Sequence, residues 1–216
     1  MSIRSLSVSL LPLAVVCAAL SACGGGSSDP TTSDPNAPIQ PSSPDPIDKY
    51  IGTFKNSCSS YEYVRDAVSG ELVYFRETDV FRKMSSVKAT FDRMTDFYDA
   101  SDCSGTARYT MTISGQDNFL IVDGTETVSG KVVDKATIGV GAVFPGLQVG
   151  ASLTVQGITL DPGRFGSRTA TSARDILYLD MGGALFDADP NNPLPDAQGY
   201  PTVLDLTVSA DTLKKQ

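Results

Sequence analysis

The 216-residue chain contains no histidine and no tryptophan. Without imidazole there is no Ser-His-Asp or Cys-His nucleophile system, no histidine metal ligand and no general base of the usual neutral-pH kind. The chain also lacks a G-x-S-x-G elbow and a Walker-type phosphate loop. Basic residues are few, 17 against 25 acidic, for a net charge of -8. Binding a nucleic-acid backbone needs clustered lysine and arginine, so a nucleic-acid partner is excluded. Paired carboxylates remain a route to acid–base chemistry. No spacing singles out a pair among Glu62, Glu71, Glu77, Glu126 and the aspartates. No catalytic residue, metal or cofactor is therefore assigned, and the chain is read as non-enzymatic.

Long apolar runs are scarce too. Residues 5–20, SLSVSLLPLAVVCAAL, follow the single charge Arg4 and lead to Ser21 and Ala22. A positive start, an apolar stretch and small residues describe a secretory signal peptide. Ser5, Ser7, Ser9 and Pro12 make the stretch too weak for a membrane-spanning helix, which needs about 20 strongly apolar residues. Its removal leaves 16 basic and 25 acidic side chains, a net charge of -9.

Leu20-Ser21-Ala22-Cys23 resembles the lipobox of bacterial lipoproteins: an aliphatic residue, two small residues and an obligatory cysteine. The resemblance implies acylation of Cys23, cleavage before it and, with Gly24 in place of aspartate, sorting to the outer membrane. Each buried acyl methylene contributes about 0.8 kcal/mol, so several chains on one residue hold a domain at the bilayer. Residues 24–48 are Gly-, Ser-, Asp- and Pro-rich and almost free of apolar side chains. Such a segment does not offset the entropy of ordering its backbone and reads as a disordered tether, about 25–30 Å end to end. Three divisions follow: a signal peptide over 1–22, a lipidated cysteine and tether over 23–48, and a folded domain over 49–216.

In the oxidising envelope, Cys58 and Cys103 most simply form a disulfide. The alternative is a two-thiolate metal site, which the absence of histidine disfavours.

From Tyr50 onward the pattern has period two, the mark of half-buried antiparallel strands. Val87, Ala89 and Phe91 alternate with Lys88, Thr90 and Asp92; Ala107, Tyr109, Met111 and Ile113 alternate with Arg108, Thr110, Thr112 and Ser114. Further strands are expected over 50–57, 70–81, 119–134, 151–160, 174–181 and 201–209. Asp123-Gly124 offers a two-residue hairpin that would split 119–134. The apolar phase changes across Gly157, as at a bulge. Eight or so strands joined mostly in sequence order predict an all-β, antiparallel up-and-down barrel, with a β-sandwich as the alternative.

Gly52-Thr53-Phe54, within YIGTFKNSC, resembles the G-x-W strand of lipocalin-like domains, with phenylalanine in the tryptophan position. Asp99 to Cys103 and the segment Asp196-Ala197-Gln198-Gly199-Tyr200-Pro201-Thr202, together with Cys23 and Cys58, resemble uncharacterised Gram-negative envelope lipoproteins. That resemblance implies a fold and an address, and no catalytic residue.

Three local elements each carry two readings. Val143, Phe144 and Leu147, in a glycine-bearing apolar loop over 138–150, form either a portal lid over a ligand cavity or a plug of the barrel end. Asp187, Asp189 and Asn191 start a calcium-loop pattern that breaks at Asn192, Pro193 and Gln198; an Asx-rich connection is the plainer reading. Arg164, Arg168 and Arg174 suit either an acidic group or a solvated loop, and Tyr74, Phe75, Phe91, Tyr109 and Tyr178 are expected to fill the core. Two roles stay open: a lipid-anchored outer-membrane protein holding a small apolar or amphipathic ligand, or a scaffold with a filled interior that meets another envelope protein.

Overall fold

The computed structural model describes residues 43–141, 153–160, 171–192 and 194–216. Over these residues the protein is all-β, with one antiparallel sheet of twelve strands. They are β1 (Gly52–Lys55), β2 (Ser59–Asp66), β3 (Leu72–Lys83), β4 (Lys88–Tyr98), β5 (Tyr109–Ile113), β6 (Phe119–Val128), β7 (Lys131–Val140), β8 (Leu153–Val155), β9 (Ile158–Leu160), β10 (Thr171–Leu179), β11 (Ala184–Phe186) and β12 (Leu213–Lys215).

The sheet is organised by its longest hairpin. β3 and β4 pair continuously from Tyr74↔Tyr98 to Lys83↔Ala89. Toward the hairpin turn, β3 takes β1 as its other neighbour and β4 takes β6. From there β6, β7, β10, β11, β12 and β1 complete a hydrogen-bonded ring of eight strands. Away from the turn the same two strands take β2 and β5 instead, and β2 continues to the β8–β9 hairpin. We call this second half the wing.

The ring is not a regular barrel. β6 and β7 share nine paired positions, whereas β10–β11, β11–β12 and β12–β1 share two each. Nor does the sheet follow sequence order, which departs from the up-and-down expectation. β1 pairs with β3 and β4 with β6, while β2 and β5 leave the ring altogether; β12 does close on β1, as an up-and-down barrel requires.

Alternation explains the two strands that organise the sheet. The odd-numbered residues Val73, Phe75, Asp79 and Phe81 of β3, and Ala89, Phe91, Thr95 and Phe97 of β4, are buried. Phe81, Ala89 and Phe91 pack in the ring with Phe54, Leu120, Val122, Ala136 and Leu177. Phe75 and Phe97 pack in the wing with Val64, Val73, Met111, Ile158 and Leu160. A third cluster, which includes Val133, Ile176, Phe186, Tyr200 and Leu204, uses the other parity of β10 and β11. Each fully buried large apolar side chain contributes roughly 1.5–3 kcal/mol.

The folded body reaches back to Ser43. Ile47, placed in the tether by composition, is fully buried in the ring cluster, and a 3-10 turn over Asp48–Tyr50 follows it. The Ile47 amide donates to the Ser86 carbonyl, and Lys83 Nζ bonds Asp45 and Asp48 at 2.6 Å each. The Tyr50 hydroxyl donates to Asp134 at 2.5 Å, and Lys49 Nζ reaches the same carboxylate at 2.6 Å. One apolar residue and one tyrosine thus anchor this segment at the turn end of the hairpin, where composition alone reads linker.

Three local expectations are corrected. Asp123-Gly124 is not a hairpin turn: β6 runs through it, and the register shifts between Val122 and Gly124 as at a bulge. The turn falls at Ser129-Gly130, where both residues have positive φ, the requirement of a type I′ hairpin. Gln156-Gly157 is a second such turn, between β8 and β9, and not a bulge. Residues 201–209 form no strand; the segment 187–205 is held by the isolated bridges Ala188↔Leu204 and Pro195↔Pro201.

Candidate functional site

The β3–β4 inner face is interrupted midway by polar residues. Between the facing pairs Phe81↔Phe91 and Phe75↔Phe97 lie Asp79↔Arg93 and Glu77↔Thr95. Arg93 makes a two-pronged contact with Asp79, Nε to Oδ1 at 2.9 Å and Nη2 to Oδ2 at 2.7 Å. Its Nε also lies 3.2 Å from Glu77 Oε1. Asp79 is 1 % exposed and Thr95 likewise. A buried carboxylate persists only when paired and hydrogen-bonded, and the planar guanidinium supplies both at once. The Glu77 amide takes a further bond, to Asn56 Oδ1 at 2.7 Å. Burial pushes the Glu77 carboxyl up to about 7; Arg93 opposes that rise, and Asp79 and Asp211 add to it.

On the ring side of this belt is a cavity of about 260 Å³. Phe81, Phe91, Leu120, Ile138, Leu177, Leu185, Phe186 and Leu213 form its apolar wall. Asp79, Arg93, Asp187, Asp205, Thr207, Ser209, Asp211 and Thr212 form its polar side. Segment 205–213 brings most of the polar side. It is tied down by Ser57 N donating to the Ala210 carbonyl, by Asp205 N donating to the Asp187 carbonyl, and by Asp205 Oδ1 accepting from the Thr207 amide. Asp187 keeps contact with solvent, yet the loss of surrounding water, then Asp175 and Asp205, push its carboxyl up to about 6. Burial of the Tyr61 hydroxyl, and Asp211 beside it, raise that phenol.

The wing has its own closing contact. Arg108 bonds Asp66 at 2.8 Å, Asp99 at 3.0 Å and the Gln156 carbonyl at 3.0 Å, joining the end of β2, the end of β4 and the β8–β9 turn. A Cβ at Gly157 would stand 2.4 Å from Arg108 Nη2, and the φ of +73° already disfavours other residues there. Cys58 and Cys103 are joined by a disulfide, with Cα atoms 5.5 Å apart, linking the start of β2 to the β4–β5 connection.

The remaining candidates separate. Phe75 and Phe91 are core residues, and Phe91 also lines the cavity. Tyr109 packs on the wing cluster and Tyr178 on the third, while Tyr74, on the even-numbered side of β3, is half-buried. In the Asp196–Thr202 segment the Asp196 carboxylate accepts from the Gln198 and Tyr200 amides and from Lys135 Nζ, which together hold it down to about 2. It is a turn clamp that seats Tyr200 between Lys135 and Arg174. Asp189 accepts from the Asn191 amide, an Asx turn. Among the described residues no group of three or more Cys, Asp or Glu is arranged to hold a metal ion. Cys23, Val143, Phe144, Leu147, Arg164 and Arg168 lie outside the described residues.

No family model, no curated protein and no solved structure matches this chain. Its functional reading therefore rests on the cavity and on the residues themselves.

Proposed function

We propose that the protein is an outer-membrane lipoprotein, anchored by acyl chains on Cys23, whose eight-strand ring serves as a lipocalin-like barrel holding one small apolar or amphipathic molecule. The observation that carries this reading is the cavity of about 260 Å³ bounded by eight apolar side chains from the ring and by the polar segment 205–213. A ring filled solid would suit a scaffold; retained space beside Leu120 and Leu177 suits a ligand. Pockets for drug-sized ligands span about 300–1,000 Å³, so the occupant is smaller, of single-ring or short-chain size. The lipobox residues Leu20-Ser21-Ala22-Cys23 support the anchor, and the Gly/Ser/Pro stretch behind them supports a solvated spacer.

Native mass spectrometry of mature protein purified gently from a Gram-negative envelope tests the ligand. The expected result is a non-covalent adduct in the wild type that disappears in Leu177→Phe, which fills the cavity. A wild type of ligand-free mass in repeated preparations would favour the scaffold. Detergent phase partitioning tests the address: the wild type goes to the detergent phase and Cys23→Ala to the aqueous phase.

A further inference from the structure

The charges on the cavity's polar side are not balanced. Four aspartates, Asp79, Asp187, Asp205 and Asp211, line it beside one basic residue, Arg93. Arg93 is already engaged: both oxygens of Asp79 take its Nε and Nη2, and Glu77 lies against it. Among the described residues no ion pair reaches Asp187, Asp205 or Asp211. Among the described residues their polar partners on this side are neutral: the Thr207 hydroxyl and amide for Asp205 and the Tyr61 hydroxyl for Asp211. The rest of the lining is eight apolar side chains with Thr207, Ser209 and Thr212, and it holds no second cation.

We propose, on the basis of the ligand reading above, that the cavity takes an amphiphile whose polar end is a primary amine, its apolar body against Phe81, Phe91, Leu120 and Leu177 and its ammonium between Asp187, Asp205 and Asp211. An ammonium there gains carboxylate neighbours and relieves the repulsion between Asp187 and Asp205. An alcohol gains neither, and a carboxylate adds a further negative charge to a partly desolvated site that already has an excess.

The test uses three probes that share one body, 4-phenylbutylamine, 4-phenylbutanol and 4-phenylbutyrate, titrated calorimetrically into the mature protein at pH 7.5. The amine is expected to bind at least tenfold more tightly than the alcohol, and the acid more weakly than both. Asp187→Asn with Asp205→Asn, both near the surface, is expected to reduce amine affinity at least tenfold and leave the alcohol within twofold. Equal affinity for amine and alcohol, or tightest binding of the acid, would overturn the cation preference while the ligand reading stands. Failure of all three probes to bind would overturn both.

Discussion

The ring and the wing are built on the same face of the same two strands, yet the first lines a cavity and the second is packed with aromatic rings. In the wing, Phe75, Phe97, Tyr61, Tyr63 and Tyr109 crowd together: Tyr61 and Phe75 rings are 4.9 Å apart and Phe97 and Tyr109 rings 5.9 Å. In the ring, apolar residues come from several strands, and Phe81, Phe91 and Phe186 share the cavity wall with the leucines and isoleucine at 120, 138, 177, 185 and 213. A sheet that curls round until its last strand pairs with its first sets a fixed perimeter, and aliphatic side chains of this size do not fill it. The polar belt of Glu77, Asp79, Arg93 and Thr95 lies where one regime gives way to the other.

The sharpest way to break the contrast is to remove the cation of the belt. Arg93→Met leaves Asp79 buried without a counter-charge, a change that costs about 3–5 kcal/mol. It should appear as a large fall in urea midpoint. Asp79→Leu with Arg93→Met removes both charges and is expected to recover most of that loss. If the double variant is no more stable than the single one, the belt is not held by charge pairing.

Next in size is the disulfide, which belongs to the wing. Cys58 and Cys103 are 45 residues apart, and in the chain-entropy model a loop of that length contributes about 4 kcal/mol, an upper figure where the reduced chain keeps residual structure. Cys58→Ala with Cys103→Ala is expected to lower hydrogen-exchange protection in β2 and β5 first, with β6, β7 and β10 nearly unchanged. Equal loss in both halves would show that ring and wing unfold as one unit.

A smaller and more selective effect comes from adding volume. Val64 is fully buried in the aromatic wing, so Val64→Phe overpacks it and costs about 1–3 kcal/mol. Leu177→Phe has the 260 Å³ cavity to enter and is expected to change the melting temperature little while blocking ligand. Matching destabilisation by the two would mean that the ring interior is as tightly packed as the wing.

Much of β4 and β5 is legible in the amino-acid sequence, because Ala89, Phe91, Met111 and Ile113 alternate cleanly with polar neighbours and are all buried as the pattern requires. The disulfide is legible for a different reason: with the leader and Cys23 set aside, two cysteines remain. The belt is not. Glu77, Asp79 and Arg93 occupy inward positions of a strand, and a charged residue in a sequence marks an outward face unless its partner on the next strand is known. Asp79 and Arg93 meet only through a register set by the Lys83–Lys88 turn. The cavity is hidden by the same non-locality, since Leu120 and Leu177 look like ordinary strand residues, Leu213 lies beyond every expected strand, and the three converge only because β12 closes on β1. Asp123-Gly124 misleads because a good turn dipeptide is outcompeted by Ser129-Gly130, which allows longer pairing of β6 with β7. Ile47 escapes notice because one apolar residue in a polar stretch carries no period.

The smallest expected effect is on pH dependence, and it separates the belt from the rest of the ring. Glu77 has its carboxyl pushed up to about 7 from an ordinary value near 4.5, first by burial. Between these two values the unfolded chain has released the proton and the folded protein retains it. The native state then binds more protons, so stability falls as pH rises through this window. About a fifth of the side chain reaches solvent, which screens the effect, so the loss is on the order of 1 kcal/mol. Asp187, pushed up to about 6, works in the same direction over an overlapping window. Asp196, held down to about 2 by Lys135 and the Tyr200 amide, has the opposite sign and acts below pH 4. Urea midpoints measured from pH 4.5 to 7.5 should therefore decline with pH, and Glu77→Gln should remove most of the slope, leaving the part due to Asp187. A decline that survives both Glu77→Gln and Asp187→Asn would place its source outside the belt and the cavity mouth. A rise with pH would mean that Arg93 outweighs burial, and that Glu77 belongs with Asp79 as a second ionised partner of the same guanidinium.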